Sequence, residues 1–322
     1  MLDANDGPGG AWRHRWPSLT LGKAHGIHDL PQYPLGTPDP EEPSSDVVSR
    51  YYGEYEAKFD LPVIRPAKVE RVTSEPDGDL AVRAGDRPWR TRFLINSTGT
   101  WDSPFWPSYP GMDVFDGEQL HTRNFWSADD YRGKRVVVVG GGSSAIQFLL
   151  QLDDAGAATT WVTRRPPVWR SAPFEDGWGR KVEDRVRART EAGLLPESVV
   201  TATGLALTDE YQRGIEAGVL VSVGALRELS RDGIILDDGR FVPADVVLWA
   251  TGFRHSIGHL APLKLREAAG GIRTDGIRAA RDPRVFMVGY GASASTLGAT
   301  RAGRAAAVAV SQALTEARST AA

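Results

Sequence analysis

The sequence predicts an α/β fold in which parallel strands alternate with helices. Arg135–Val139 carries four consecutive valines, a continuous apolar run of the kind that forms a strand buried on both faces. Gly140-Gly141-Gly142 follows at once, then an apolar helical stretch at 144–152 and a second strand at 159–163. Elsewhere two apolar strands end in a similar small tripeptide, Ser97-Thr98-Gly99 and Ala250-Thr251-Gly252. These three features describe a βαβ unit flanked by parts of a second strand system.

Along the chain, residues 1–45 are rich in Gly, Pro and aromatic residues and predict an extended loop laid on something larger. Residues 46–59 predict a helix, with Asp46 as N-cap and Val47, Tyr51 and Tyr55 at helical spacing. Short strands are expected at 67–74, 79–84 and 90–96, with Asp77-Gly78 marking a hairpin. Pro104, Pro107 and Pro110 stiffen the linker that follows. Beyond the βαβ unit, 179–216 reads as charged and mostly helical. Strands are expected near 219–223 and 234–236, and at 244–250, where Val246-Val247-Leu248-Trp249 is the buried run. A buried strand at 283–289 and an Ala-rich helix at 297–316 close the chain.

Composition narrows the function. The chain has 322 residues, enough for two domains with separate cores, and its apolar and charged fractions of 41% and 25% are those of a globular protein. A net charge of −3 gives no electrostatic reason to expect a nucleic acid or an anionic membrane as partner. No apolar run is long enough to span a bilayer, and Met1-Leu2-Asp3-Ala4-Asn5-Asp6 does not resemble a signal peptide, so a cytoplasmic location is expected. With no cysteine there is no disulfide, thiolate ligand, cysteine nucleophile or redox thiol pair. The six histidines lack ligand spacing, so no metal site is expected.

Gly140-Gly141-Gly142-Ser143-Ser144-Ala145 matches G-x-G-x-x-G/A between a strand and a helix. In that setting Gly140 permits the tight turn, Gly142 lets a pyrophosphate approach the backbone, and Ala145 lets helix and strand pack closely. The helix start at Ser143 and Ser144 then offers free N–H groups to phosphates. The next strand runs into Arg164 and Arg165, where an NAD site carries an acid for the ribose 2′-hydroxyl. Two arginines fit a 2′-phosphate instead, so NADP is the expected nucleotide.

Phe115-x-Gly117-x-x-x-His121-Thr122-Arg123-Asn124-Phe125 resembles the fingerprint F-x-G-x-x-x-H-[ST]-x-x-[WYF] of the flavin-containing and Baeyer–Villiger monooxygenases. Further segments resemble that family in the same order. Gly9-Gly10-Ala11-Trp12-Arg13 looks like the G-G-x-W segment that passes the FAD. The tripeptides containing Thr98-Gly99 and Thr251-Gly252 look like its two crossovers between domains, and Val285-Phe286-Met287-Val288-Gly289 like its last FAD-domain strand. The resemblance implies two interleaved Rossmann-like dinucleotide-binding domains, a three-layer FAD/NAD(P)-binding fold with the first domain N-terminally incomplete. An FAD domain at 1–110 and 245–322 would surround an NADPH domain at 115–243. It implies FAD and NADP as cofactors, a small organic substrate and O2, and oxygenation through O2 added at C4a of the reduced flavin. His121 is its candidate catalytic residue, and Asp3 its acceptor for the FAD adenosine ribose. Trp101, Phe105 and Trp106 are candidates for an aromatic substrate lining.

The chain departs from this pattern twice. The family's first strand and its own G-x-G-x-x-G, a βα unit of roughly 30 residues, have no counterpart before Leu2-Asp3-Ala4. Either the start is misplaced or the chain lacks the unit; the expectation taken is an in-frame upstream extension, with FAD held poorly without it. The asparagine that flavin-containing monooxygenases carry a little after G-G-x-W also has no counterpart, because Leu21-Gly22-Lys23 stands there. Two other functions stay open: an NADPH-dependent flavoprotein reductase of an external non-thiol acceptor, and an NADPH-binding remnant without flavin. A thiol-passing disulfide reductase is excluded by the absence of cysteine.

Overall fold

A computed structural model describes residues 1–24, 26–170, 178–196 and 204–321. In chain order its elements include α1 (Ser44–Lys58), β1 (Arg71–Ser74), β2 (Leu80–Ala84), β3 (Arg87–Thr91), β4 (Leu94–Asn96), β5 (Glu118–His121), β6 (Arg135–Val139), α2 (Ser143–Asp154), β7 (Ala158–Val162), β8 (Trp169–Arg170), α3 (Trp178–Glu191), β9 (Leu205–Ala206), α4 (Asp209–Glu216), β10 (Leu226–Ser230), β11 (Gly233–Leu236), β12 (Phe241–Pro243), β13 (Val246–Trp249), β14 (Thr274–Asp275), β15 (Arg278–Ala279), β16 (Asp282–Met287) and α5 (Thr296–Ala321). They form two compact units. The first comprises Met1–Asp102, Gly179–Glu197 and His255–Ala322; the second comprises Ser103–Trp178 and Ser198–Arg254.

The second unit is built on four parallel strands in the order β5-β13-β6-β7. Val246 lies opposite Glu118 and Val136, and Trp249 opposite His121 and Val139. Val137, Val139, Val247 and Trp249 face one core, which the antiparallel sheet β10-β11-β12 closes with Leu226, Leu229, Ile234 and Leu236. The alternate residues Val136, Val138 and Leu248 are buried as well, and α2 packs on β6 and β7. Burial on both faces explains why these strands read as continuous apolar runs. Each such side chain contributes about 1.5–3 kcal/mol by leaving water.

In the first unit β16 has the same double role. Val285 and Met287 enter a core with Val72, Leu80 and Val82 of the β1-β2-β3 sheet. Phe286 and Val288 turn the other way, against Ala302 and Ala306 of α5. β16 pairs in parallel with β4 and antiparallel with β15. Leu2 forms an isolated parallel bridge to Ile64.

Several elements differ from expectation. The helix at 46–59 begins two residues earlier; Pro43 precedes it without a side-chain cap, and Asp46 sits inside the first turn. The serine that could have capped, Ser44, is buried and donates instead to the Leu19 carbonyl (2.7 Å). The strand expected at 90–96 is two strands, β3 and β4, because the chain leaves one sheet after Thr91 and enters another at Leu94. The strand near 219–223 reduces to one bridge, Trp161 with Ser222. Part of the helical stretch at 179–216 lies outside the described residues. The expected domain boundaries also shift. The strand at Val246–Trp249, assigned above to the outer domain, lies inside the sheet of the second unit, because β5 and β6 pair on its two edges. Residues 179–197 group with the first unit, where the Gly193 carbonyl accepts from Gly271 N–H (3.2 Å).

A polar seam crosses the first unit. His259 Nε2 meets Asn96 Oδ1 at 2.7 Å, and the Thr98 hydroxyl donates to the Ser256 carbonyl at 2.7 Å. His255 lies nearby with its ring 4.5 Å from that of Tyr290 and a buried Nε2 that no described residue engages. Burial, aided by Arg266, pushes the His255 pKa down to about 4. An unfolded histidine titrates near ~6.5, so the unfolded chain takes up a proton first. The contribution of His255 is then complete above pH ~6.5 and declines as pH falls toward about 4. His255→Gln is therefore expected to flatten the decline of the thermal midpoint between pH 7 and 5. An identical decline in variant and wild type would contradict this.

Candidate functional site

The valine strand β6 ends in a turn that only glycine can make. Gly140 has φ +152°, and a Cβ placed there would lie 2.2 Å from the Ala250 carbonyl oxygen. Its N–H donates to the Val162 carbonyl (3.0 Å), and its carbonyl accepts from the Trp161 indole Nε1–H (2.7 Å). Gly142 precedes α2 with extended backbone, and a Cβ there would meet nothing within 4 Å. No side chain caps α2, so no side-chain oxygen satisfies the N–H groups of its first turn, at Ser143 and Ser144. Ala145 is fully buried where helix meets strand. The turn thus presents an open backbone approach to the positive end of a helix, a ready anion site.

One strand further on, Arg164 and Arg165 follow β7 and are exposed, and no described residue engages either guanidinium. Thr163, just before them, is buried; its N–H donates to the Gly224 carbonyl (3.0 Å) and its hydroxyl meets the Ser222 hydroxyl at 2.7 Å. The start of the arginine pair is therefore fixed, while the two charged ends are exposed and engaged by no described residue. No carboxylate stands at these two positions.

His121, at the end of β5, is fully buried. Its Nε2 donates to the Gly252 carbonyl (3.0 Å) and its Nδ1 accepts from the Arg123 N–H (3.1 Å). Burial holds its pKa below the ordinary value, so the ring is neutral at neutral pH with both nitrogens engaged. The residue expected as catalytic thus has both ring nitrogens engaged by backbone groups. It pins the Ala250–Phe253 crossover, whose Gly252 carbonyl also accepts from Phe105 N–H (2.9 Å), while Thr251 donates to the Phe105 carbonyl (2.5 Å). The Phe253 ring meets His121 edge-on at 4.9 Å, and Trp106 lies 5.9 Å away, 43% exposed.

In the first unit, Gly9 (φ +103°) and Gly10 turn the chain into a short 3-10 helix, Gly10–His14, that packs on α1. Gly9 lies close against Ser49, Arg13 donates to the Pro8 carbonyl (3.0 Å), and Trp12 is half-buried. Asp3 accepts from Asn5 N–H (3.0 Å), from the Asn5 amide (2.9 Å) and from Arg65 Nε (2.6 Å), while Arg65 also clasps Glu56. Partial burial opposes ionisation of Asp3, but these hydrogen bonds outweigh it and hold the carboxyl below its usual range. Thr98-Gly99 joins Ser256, with Ser256 N–H donating to the Gly99 carbonyl (2.9 Å). At Gly99 and Gly289 a Cβ would meet open space. Leu21–Lys23 is a 3-10 turn. Trp101, expected in a lining, is 5% exposed and belongs to the first unit, whereas Phe105 and Trp106 belong to the second. The sequence reading missed Trp161 and Ser222, which orient the turn and the strand end; their side chains act through partners distant in sequence.

The profile of the pyridine nucleotide-disulphide oxidoreductase family matches residues 18–204. A flavin-containing monooxygenase from Stenotrophomonas maltophilia is 33% identical in sequence, with a TM-score of 0.80 over 97% of this chain and 90% of that one. The rice indole-3-pyruvate monooxygenase YUCCA1 is 27% identical over 86% of this chain and 75% of its own length. Cyclohexanone monooxygenase from Rhodococcus sp. Phi1 bound to NADP+ shares the fold at 21% identity and a TM-score of 0.60, over 89% of this chain and 73% of that one. The chain belongs to the pyridine nucleotide-disulphide oxidoreductase family, among its flavin-dependent monooxygenases. That family works with FAD and NADPH.

The residues present fit such groups where the structure can be tested. Gly142, Gly99 and Gly289 leave backbone open at positions a Cβ would fill, and the uncapped α2 start suits a phosphate. Among the described residues no cluster of His, Asp and Glu could hold a metal, and no helix is long and apolar enough to cross a membrane. The two glycines of the turn separate fold from ligand. Gly140→Ala is expected to lower the urea midpoint strongly, because the Ala250 carbonyl belongs to the backbone and cannot move aside. Gly142→Val is expected to leave that midpoint near wild type; a large loss at Gly142 would contradict the geometry.

Proposed function

We propose that the chain is an NADPH-dependent flavin monooxygenase that inserts one atom of O2 into a small organic substrate. The observation that carries the reading is the uncapped start of α2 beside Gly142, with Arg164 and Arg165 exposed at the end of the neighbouring strand. The reaction balances as NADPH, a proton, O2 and substrate giving NADP+, water and the mono-oxygenated product. Bound FAD would supply the hydride acceptor and the O2-reactive centre.

The residues of this chain do the holding. In the second unit, the backbone at Gly140, Gly142, Ser143, Ser144 and Ala145 would cradle the NADPH pyrophosphate, and Arg164 and Arg165 would fork onto its 2′-phosphate. In the first unit, Asp3, Gly9, Gly10, Trp12, Arg13, Thr98, Gly99 and Gly289 would line the FAD; in the second, Thr251 and Gly252 are assigned to cofactor binding by the family resemblance. This assignment rests on the family resemblance and on the open backbone at the glycines. The neutral His121 holds the crossover in place and moves no proton.

The test uses the full chain supplied with FAD. NADPH oxidation should consume O2 and transfer one 18O atom from 18O2 to product. NADPH oxidation that needs an added quinone and takes up no O2 would overturn the reading in favour of a reductase. Replacing Arg164 and Arg165 by Ala should weaken NADPH binding tenfold or more and leave NADH unchanged, since a charge-assisted pair contributes about 1.5–3 kcal/mol. Gly142→Val should abolish binding of both. Equal weakening of NADPH and NADH in the arginine variant would contradict the assignment.

A further inference from the structure

One cation of the first unit has no counter-charge among the described residues. Arg15 follows the Gly10–His14 turn, and its guanidinium carbon lies 4.5 Å from the Trp101 ring centroid and 5.6 Å from that of Trp12. Trp101 is itself fixed: it is 5% exposed and stacks nearly parallel to His14 at 6.2 Å. The His14 ring is held in turn by Asn5 Oδ1 at 2.7 Å. Arg15 Nε is buried, yet no described residue accepts a hydrogen bond from the Arg15 side chain or pairs with its charge. Other guanidiniums of this unit are matched: Arg65 with Asp3 and Glu56, Arg284 with Asp282.

Indole faces attract a cation but accept none of its in-plane N–H groups. A stacked guanidinium therefore keeps its planar fork of donors, held at fixed orientation by the rings. That fork matches a carboxylate, whose two oxygens take two parallel hydrogen bonds. A partly desolvated cation without a partner is costly to keep, and an incoming anion removes the cost. We propose that Arg15, held between Trp12 and Trp101, recognises the carboxylate of an organic-acid substrate. This deepens the oxygenase reading, because the acid bound there is the molecule to be oxygenated. Burial lowers the pKa of Arg15 to about 10, which leaves it cationic at neutral pH.

The experiment measures binding without turnover. Phenylacetate and its neutral counterpart phenylacetamide are titrated calorimetrically into the full chain supplied with FAD, with no NADPH present. Wild type is expected to bind the acid at least tenfold more tightly than the amide. Arg15→Gln should abolish that preference, and Arg15→Lys, which keeps charge but loses the fork, should keep part of it. Equal affinity for acid and amide in wild type, or binding of neither, overturns the proposal without recourse to any variant. So does unchanged acid affinity in Arg15→Gln, and if that variant instead loses FAD, the cation serves the flavin. Failure of O2-coupled turnover would leave the binding result standing, so the two readings fail separately.

Discussion

The second unit depends on β13 being inserted between β5 and β6 in parallel register. That pairing sets Trp249 beside Val139 and His121, and it carries the following residue, Ala250, to Gly140. The Ala250 N–H donates to the Val139 carbonyl at 2.8 Å, which leaves no room for a side chain at the first residue of the turn. A slip of one residue would swing Trp249 out of its core and turn the crossover away from His121. Strand pairing, the glycine turn and the crossover are thus one geometric unit, and the open approach to α2 is its consequence.

Around this frame polar groups follow a consistent logic. Buried histidines are kept neutral chiefly by burial: His121, whose bond to the Gly252 carbonyl works the other way, and likewise His255 and His259. Many guanidiniums are paired with carboxylates on the surface, where such pairs contribute little to stability. Arg164, Arg165 and Arg15 are among the cations outside that pattern. Arg164 and Arg165 are exposed beside the glycine turn, and Arg15 lies between two indoles. Cations that no described residue pairs, at preformed places, suit a protein that binds anionic molecules.

The legible part of the fold was the part encoded locally. Val136 to Val139, the three glycines and the arginine pair are contiguous, and each follows from burial, turn sterics or charge within a few residues. The strand β5 was not legible, because Glu118-Gln119-Leu120-His121 has no β-branched residue and becomes a strand only by pairing with β13. The role of His121 was hidden for the same reason: its partner, the Gly252 carbonyl, lies 131 residues away. Asp46 illustrates the reverse case, a good local capping residue displaced because buried Ser44 found a better-placed acceptor in Leu19. Arg15 reads as one of several basic residues after Trp12 until the fold brings Trp101 against it.

The central claim is that the backbone at the start of α2 receives the nucleotide. Amide hydrogen exchange of the full chain, followed with and without saturating NADPH, tests it most directly. Slowed exchange concentrated at the N–H groups of 141–145 is the predicted result, because these donors have no side-chain cap. NADPH that binds yet leaves 141–145 exchanging as before, with protection only elsewhere in the chain, would contradict the account.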